Sequence, residues 1–292
     1  MTTSVERFPP TLLGGPSRNI GWVTMPRRSL AVMTLFACGT FPSTAHAQNA
    51  DELAKQLSNP IASLVSVPMQ LNYDEGIGPA DDGRRVFLNV QPVIPVSIGE
   101  NWNMISRTII PIIDQHDVFP GAGSQFGLGD TVQSLFFSPK TLTDGGWTWG
   151  VGPVFLVPTA TDELLGGERW GAGSTGVALR QTATGWTYGA LFNHIWSFAG
   201  DNDRADISST YFQPFLAKSL GKGRTLSFNI ESTYDWEGKE WNVPLNIGYS
   251  KVSRIGKQLV SYQGGVRWYV AGPENGPDWG VRFTFTLLYP RK

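Results

Sequence analysis

TLSFNIESTYDWEGKEWNVPLNIGYS, residues 225–250, decides the fold. Leu226, Phe228, Ile230, Tyr234 and Trp236 fall on one face of this stretch, and Thr225, Ser227, Asn229, Glu231, Thr233 and Asp235 on the other. Glu237-Gly238-Lys239-Glu240 forms a short polar turn. Trp241, Val243, Leu245, Ile247 and Tyr249 then alternate with Asn242, Pro244, Asn246, Gly248 and Ser250. A period of two is the mark of extended strand, because successive side chains point to opposite faces. Two such runs around a tight turn make an antiparallel hairpin. One face is apolar and ends in aromatics; the other is polar throughout. A soluble sandwich buries the first face. A membrane barrel turns it to lipid and lines its lumen with the second. The rest of the chain must choose.

The same period covers most of the 292 residues. It starts at Ser63, where Val65, Val67, Met69, Leu71 and Tyr73 alternate with Ser66, Pro68, Gln70 and Asn72. Further strands are expected at about 84–98, 102–113, 125–138, 147–159, 171–182, 186–198, 207–219 and 258–271. The last carries Trp279, Val281, Phe283, Phe285, Leu287 and Tyr289 against Gly280, Arg282, Thr284 and Thr286. About twelve strands result, an even number as single-chain bacterial barrels require, and lengths of about 10–13 suit a tilted bilayer crossing. Connections are long after strands one, three, five, seven and eleven and short after two, four, six, eight and ten. That asymmetry suits extracellular loops at one end and periplasmic turns at the other. Trp102, Trp147 and Trp186 are expected at the turn rim and Trp236, Trp241 and Trp279 at the loop rim, as two aromatic girdles. The expected fold is an all-β, antiparallel, up-and-down transmembrane barrel in the cell outer membrane of a Gram-negative bacterium. The alternative is a secreted soluble β-sandwich, which has no reason to alternate its loop lengths.

Composition agrees with that reading. Charged residues are only 16% against a usual 25% or so, and aromatics reach 12%. A formal net charge of −1 provides no basic face for nucleic acid. No apolar run reaches the roughly 18 residues of a spanning helix. Residues 1–24 lack periodicity and read as a start-site extension. From Met25, a basic Arg27-Arg28, an apolar Leu30–Ala37 and Ala45-His46-Ala47 make a secretory signal peptide over 25–47. Leu35-Phe36-Ala37-Cys38 fits a lipoprotein box poorly, and the arginine pair is an ordinary basic region rather than a twin-arginine export signal. Cys38, the sole cysteine, would leave with that peptide, so the mature protein would have no thiol chemistry. Residues 48–62 read as an N-terminal periplasmic segment with a short helix over 51–57, ended by Asn59-Pro60, and 63–292 as the barrel.

Three elements carry a family resemblance: Leu57-Ser58-Asn59-Pro60-Ile61-Ala62-Ser63, Gly127-Leu128-Gly129-Asp130, and Phe136-Phe137-Ser138-Pro139. With them, the region from about Leu53 to the C-terminus resembles a bacterial outer-membrane transporter family named for the meta-pathway of phenol degradation. The resemblance implies a barrel and passage of aromatic or other hydrophobic small molecules. It brings no catalytic residues. Asp278, Gly280, Phe283 and Phe285 also match the C-terminal pattern read by barrel-assembly machinery, without the usual terminal aromatic.

With the polar face inward, Arg107, Arg180, Glu231, Asp235, Arg267 and Arg282 should line the pore. The turn at 272–277 sets Arg267 opposite Arg282, and Asn242 should neighbour Arg267. A cluster of Arg267, Arg282, Asp235 and Asn242 is expected near the outer mouth. It could close the lumen as a charge network, or select anionic or aromatic solutes, since charged rings set pore selectivity and arginine stacks on aromatic rings. The expected partners are outer-membrane lipid, a small-molecule solute and the assembly machinery. No cofactor, metal or catalytic residue is expected. His116 and His194 have no serine two residues away and are too far apart in sequence to suggest a metal pair; Asp201, Asp203 and Asp206 read as a solvated loop rather than a Ca²⁺ site. The first expectation is thus a barrel for passive passage of small molecules; the alternatives are a closed structural or assembly barrel and a lipid-modifying barrel enzyme.

Overall fold

A computed structural model describes residues 44–290. The start-site extension, almost all of the signal peptide with Cys38, and the last two residues lie outside them. The chain forms one helix, α1 (Thr44–Leu57), and a closed antiparallel barrel of twelve strands. They are β1 (Val65–Ile77), β2 (Gly83–Val90 with Val93–Ile98), β3 (Trp102–His116), β4 (Ser124–Leu128 with Thr131–Pro139), β5 (Trp147–Val157), β6 (Arg169–Gln181), β7 (Trp186–Gly200), β8 (Ser208–Gly221), β9 (Arg224–Ile230 with Ser232–Asp235), β10 (Glu240–Ile255), β11 (Gln258–Ala271) and β12 (Trp279–Tyr289). Each pairs with its sequence neighbours, and β12 returns to β1 from Val65↔Tyr289 to Glu75↔Trp279, so no edge remains. Uninterrupted strands run from 11 to 16 residues, enough to cross a bilayer at a tilt.

Alternation sets the two faces. In β12, Arg282, Thr284, Thr286 and Leu288 are buried inside, while Val281, Phe283 and Tyr289 are exposed outside. In β1, Asn72 and Asp74 point in and Leu71 out. The exposed Leu71, Ile94, Phe137, Val151, Phe155, Phe192, Phe212 and Phe283 belong to a continuous apolar belt, which only lipid can cover. Tryptophans mark both rims. Trp102 stands edge-on to Trp149 at the turn end, and Tyr234 packs against Trp236 and Trp241 at the loop end. The belt and its girdles make this an outer-membrane β-barrel.

Three breaks in the ladder have identifiable causes. Pro92 cannot donate to the ladder in β2, although Thr108 N–H still reaches its carbonyl at 3.1 Å. Pro244 likewise lacks an N–H opposite Glu231, where β9 is interrupted, and Glu231 N–H donates to the Pro244 carbonyl at 3.0 Å. The break in β4 falls at Gly129-Asp130, where an outer loop docks. The connections follow the expected asymmetry with two exceptions: the turn-end connection 140–146 is as long as the outer loop 117–123, and the outer connection after β1 is only 78–82; the turn 236–239 is short, as expected.

The expected helix over 51–57 is longer, because Ala45, Ala47 and Ala50 extend it backwards with the strongest helix-forming residue. Asn59 ends it, accepting a hydrogen bond from the Ile61 N–H at 2.9 Å. That turn aims Ile61 into the barrel.

Candidate functional site

The interior has two unlike walls. One, from β3 to β8, is apolar: Ile105, Phe136, Val177, Leu179 and Leu191 are buried together, with Tyr211 and Phe215 packed on them. Inward Gly152 and Gly173 make this wall possible, since a Cβ on either would strike the carbonyl oxygen of Leu135 or His194. The other wall, from β1, β2 and β9 to β12, is polar and charged. Between the walls lies a cavity of about 380 Å³, lined among others by Gln70, Asn89, Gln91, Arg107, Asn193 and Gln213.

The charged wall is one network. Asn72, fully buried, accepts through a single Oδ1 from Arg282 Nε at 2.7 Å and Arg267 Nη1 at 2.8 Å. It is oriented by its own amide, which donates to the Gln70 and Phe87 carbonyls. Arg282 also grips Glu231 through two parallel bonds of 2.8 Å, the fork geometry that makes arginine the residue for planar carboxylates. Arg267 donates to the Tyr269 hydroxyl at 2.9 Å, which donates to Asp74 Oδ2 at 2.7 Å. Asp74 Oδ1 stands 3.7 Å from Arg267. The Arg267 guanidinium also lies over the rings of Phe87 and Tyr269 at 5.4 Å. Two arginines side by side are thus tolerable because two carboxylates and one amide oxygen face them.

Arg85 joins this wall from β2, in register with Asp74 and donating to Gln115 at 3.1 Å. Arg107 stands apart. Its Nη2 donates to Gln91 Oε1 at 3.0 Å, and among the described residues it has no carboxylate at ion-pair distance. Arg85, Arg107, Arg267 and Arg282 against Asp74 and Glu231, four minus two, leave the interior with two surplus positive charges.

Two parts of the expected cluster are corrected. Arg180 is exposed on the outside at the turn rim, paired in register with Trp147 and Tyr188, not in the lumen. Its strand places Thr175, Val177 and Leu179 inward, which sends Ala178 and Arg180 out. Asp235 and Asn242 sit exposed at the loop rim rather than beside the arginines. The two-residue turn Gly256-Lys257 pairs Ile255 with Gln258, and the register counted from it puts Asn246, not Asn242, across from Arg267. Arg267 and Arg282 do come together, offset by two residues in register and joined through Asn72. Asn72, Asp74 and Tyr269 were missed. The first two become visible only once β1 is closed against β12; no local signal marks them.

Chain segments dock at both ends of the barrel. At the loop end, the 158–168 loop folds over the break in β4. Asp130 accepts from Gly167 N–H at 2.7 Å and Ala160 N–H at 3.2 Å. Thr159 Oγ1 donates to the Gly129 carbonyl at 2.8 Å, and Leu165 is buried. Gly129 has no room for a side chain beside Ile113 and Pro111. The Gly127-Leu128-Gly129-Asp130 element is therefore a docking seat for this loop. Bonds to a charged acceptor contribute about 1.5–3 kcal/mol each, so Asp130→Ala is expected to free the loop. Protease nicking within 158–168 of the folded barrel should rise sharply; an equally protected loop would contradict the docking role. The neighbouring loop is held by Arg169, which bonds the Asp201 carbonyl and Asp206. The bonds that Arg169 and Ser197 donate hold the Asp206 carboxyl below its usual value. A lowered value means this tether acts above the ordinary carboxylate range and is lost only as pH falls through the lowered value.

At the turn end, the segment from Ala50 to Leu64 crosses the opening. Leu53, Ala54 and Leu64 are buried with Val252 and Leu288 of β10 and β12. Ile61 reaches the opposite wall, buried with Ile105, Phe136 and Leu179. Gly223 N–H donates to Asp51 at 2.5 Å, and Gln181 donates to the Lys55 carbonyl at 2.7 Å. Contacts on opposite sides of the ring make this segment a cover.

His116 and His194 face outward. His194 Nδ1 lies 2.6 Å from Thr210 Oγ1, against Trp196. His116 is the last residue of β3 rather than a loop residue; its Nδ1 lies 2.6 Å from Ser124 Oγ and its Nε2 3.1 Å from Asp114. That serine is a cross-strand neighbour, invisible to a search by local spacing. Among the described residues, no group of three metal-ligating side chains occurs.

No protein-family model matches the chain, and no curated protein matches it. Solved structures do. The COG4313 outer membrane channel from Pseudomonas putida F1 aligns with a TM-score of 0.62 and 13% identity over 78% of this chain and 96% of that one. Outer membrane phospholipase A from Escherichia coli aligns at 0.47 and 13% over 77% and 90%, and the anion-selective porin from Comamonas acidovorans at 0.39 and 8% over 77% and 98%. The first likeness is one of fold, and it places this chain among twelve-stranded outer-membrane barrels.

Proposed function

We propose that the protein is a channel for passive passage of small molecules across the outer membrane, with a preference for anions. The observation that carries this reading is the 380 Å³ internal cavity between an apolar wall and a wall with surplus positive charge. Charge lining a narrow, low-dielectric passage sets its ion preference. The resemblance to transporters of aromatic compounds points the same way, and the C-terminal pattern around Gly280 and Phe283 suits delivery by barrel-assembly machinery. Flux into proteoliposomes tests the reading. Small anionic solutes are expected to enter faster than cations of equal size. Entry no faster than into protein-free vesicles would sink it.

A second reading, a lipid-modifying enzyme, rests on Asp114, His116 and Ser124. An imidazole between a hydroxyl and a carboxylate is the arrangement that activates serine, here at the lipid-facing outer rim. If it acts so, phospholipid vesicles should be hydrolysed by the wild type and spared by Ser124→Ala. Equal release by both proteins removes the reading.

A further inference from the structure

We infer that Arg107 is an anion-binding residue at the neck of the lumen, and that the solute it selects is a small monoanion with an apolar body. This rests on the channel reading above and deepens it. Three observations carry it. First, Arg107 and Gln91 line both the central cavity and a second one, about 170 Å³, under the covering segment at Leu57, Pro60 and Leu64. A solute passing from one to the other meets this guanidinium, beside a third cavity of about 280 Å³ whose wall is formed by Gln213, Ser227 and Gln263 instead. Second, Arg107 differs from its fellows. Arg267 and Arg282 are each matched to a carboxylate, whereas Arg107 bonds only a neutral amide; Arg85 also bonds an amide but lines neither cavity. Glu231 is within electrostatic reach but both its oxygens are held by Arg282, and a guanidinium kept inside a protein without an ion pair of its own lowers stability, so packing does not explain its presence; a visiting anion does. Third, its surroundings divide by chemistry. Gln70, Asn89 and Asn193 offer amides on the polar side of the cavity, while Ile109, Leu191 and Ile195 offer hydrocarbon on the other. A carboxylate on Arg107, oriented bidentately, would lay its apolar body on Leu191 and Ile195.

The test uses the full mature chain in planar bilayers, with benzoate and hexanoate as probes and benzyl alcohol as the uncharged comparison. Benzoate and hexanoate are expected to interrupt the chloride current of the wild type, and benzyl alcohol to leave it unchanged. Arg107→Gln should raise the concentration needed by about tenfold, equivalent to about 1.4 kcal/mol, and Arg107→Lys should restore part of the effect. Arg107→Gln should also be at least as resistant to thermal unfolding as the wild type, because it removes an unmatched charge. Currents interrupted equally in wild type and Arg107→Gln would overturn this inference and leave the channel reading standing. So would a marked loss of stability in Arg107→Gln, which would make Arg107 structural. A folded, inserted wild type that carries neither current nor solute would fail the channel reading itself, and this inference with it.

Discussion

Arg282→Ser is expected to destabilise the barrel by about 3–5 kcal/mol, because it strands a buried carboxylate. Glu231 has its two oxygens on Arg282 and only a long 3.5 Å contact from Gln213 besides. Asn72 would lose one of its two donors as well. The folded form on a gel should convert to the unfolded form at a distinctly lower temperature. Glu231→Gln in the same chain should recover most of the loss, since it removes the charge that Arg282 answers. If the single variant unfolds with the wild type, the network is not structural. The contrast with Arg107→Gln separates two kinds of lumenal arginine: one whose removal strands a carboxylate, and one whose removal strands only a neutral amide.

The second large effect concerns the cover at the turn end. Burying Leu53, Ile61 and Leu64 contributes about 1.5–3 kcal/mol each. Ile61 packs on one side of the ring and Leu53 and Leu64 on the other, so a charge placed at either contact should release that end of the cover. Ile61→Asp would set a carboxylate against Ile105, Phe136 and Leu179, and Gly150, whose missing side chain leaves space for the Ile61 Cδ1, offers it no donor but backbone. The variant is expected to conduct severalfold more than the wild type. Leu288→Asp, on the opposite side of the ring, should act in the same direction through Leu53 and Leu64. Unchanged conductance in both would mean that the segment does not limit passage.

Much of the fold was legible because a barrel writes its faces into a period of two. Wherever outward residues were bulky, as in β1, β9, β10 and β12, the reading of inside and outside agrees with the structure. It failed in β6, where the bulky Val177 and Leu179 face inward onto the apolar wall and the small Ala172, Ser174, Gly176 and Ala178 face out, so a rule that sends apolar residues to lipid turned Arg180 inward. The site was legible only in part. Arg267, Arg282 and Glu231 sit on strongly patterned strands, and the structure places all three in one network. Their meeting point, Asn72, lies some two hundred residues away in sequence and adjoins them only through ring closure. Asn242 was misplaced because the turn between β10 and β11 is tighter than the expected 254–257: it pairs Ile255 with Gln258, which slides Asn246 across from Arg267. Whether segment 48–62 plugs the lumen was left open, because a short helix with Ala50, Leu53, Ala54 and Leu57 along one side carries no sign of where it will dock.

One measurement bears most directly on the account: the reversal potential of single channels formed by the refolded wild-type protein and Ile61→Asp under a KCl gradient. Discrete openings that reverse toward the chloride potential, larger in Ile61→Asp, are predicted. A cation preference, or silence from both proteins when each is shown folded and inserted, would contradict it.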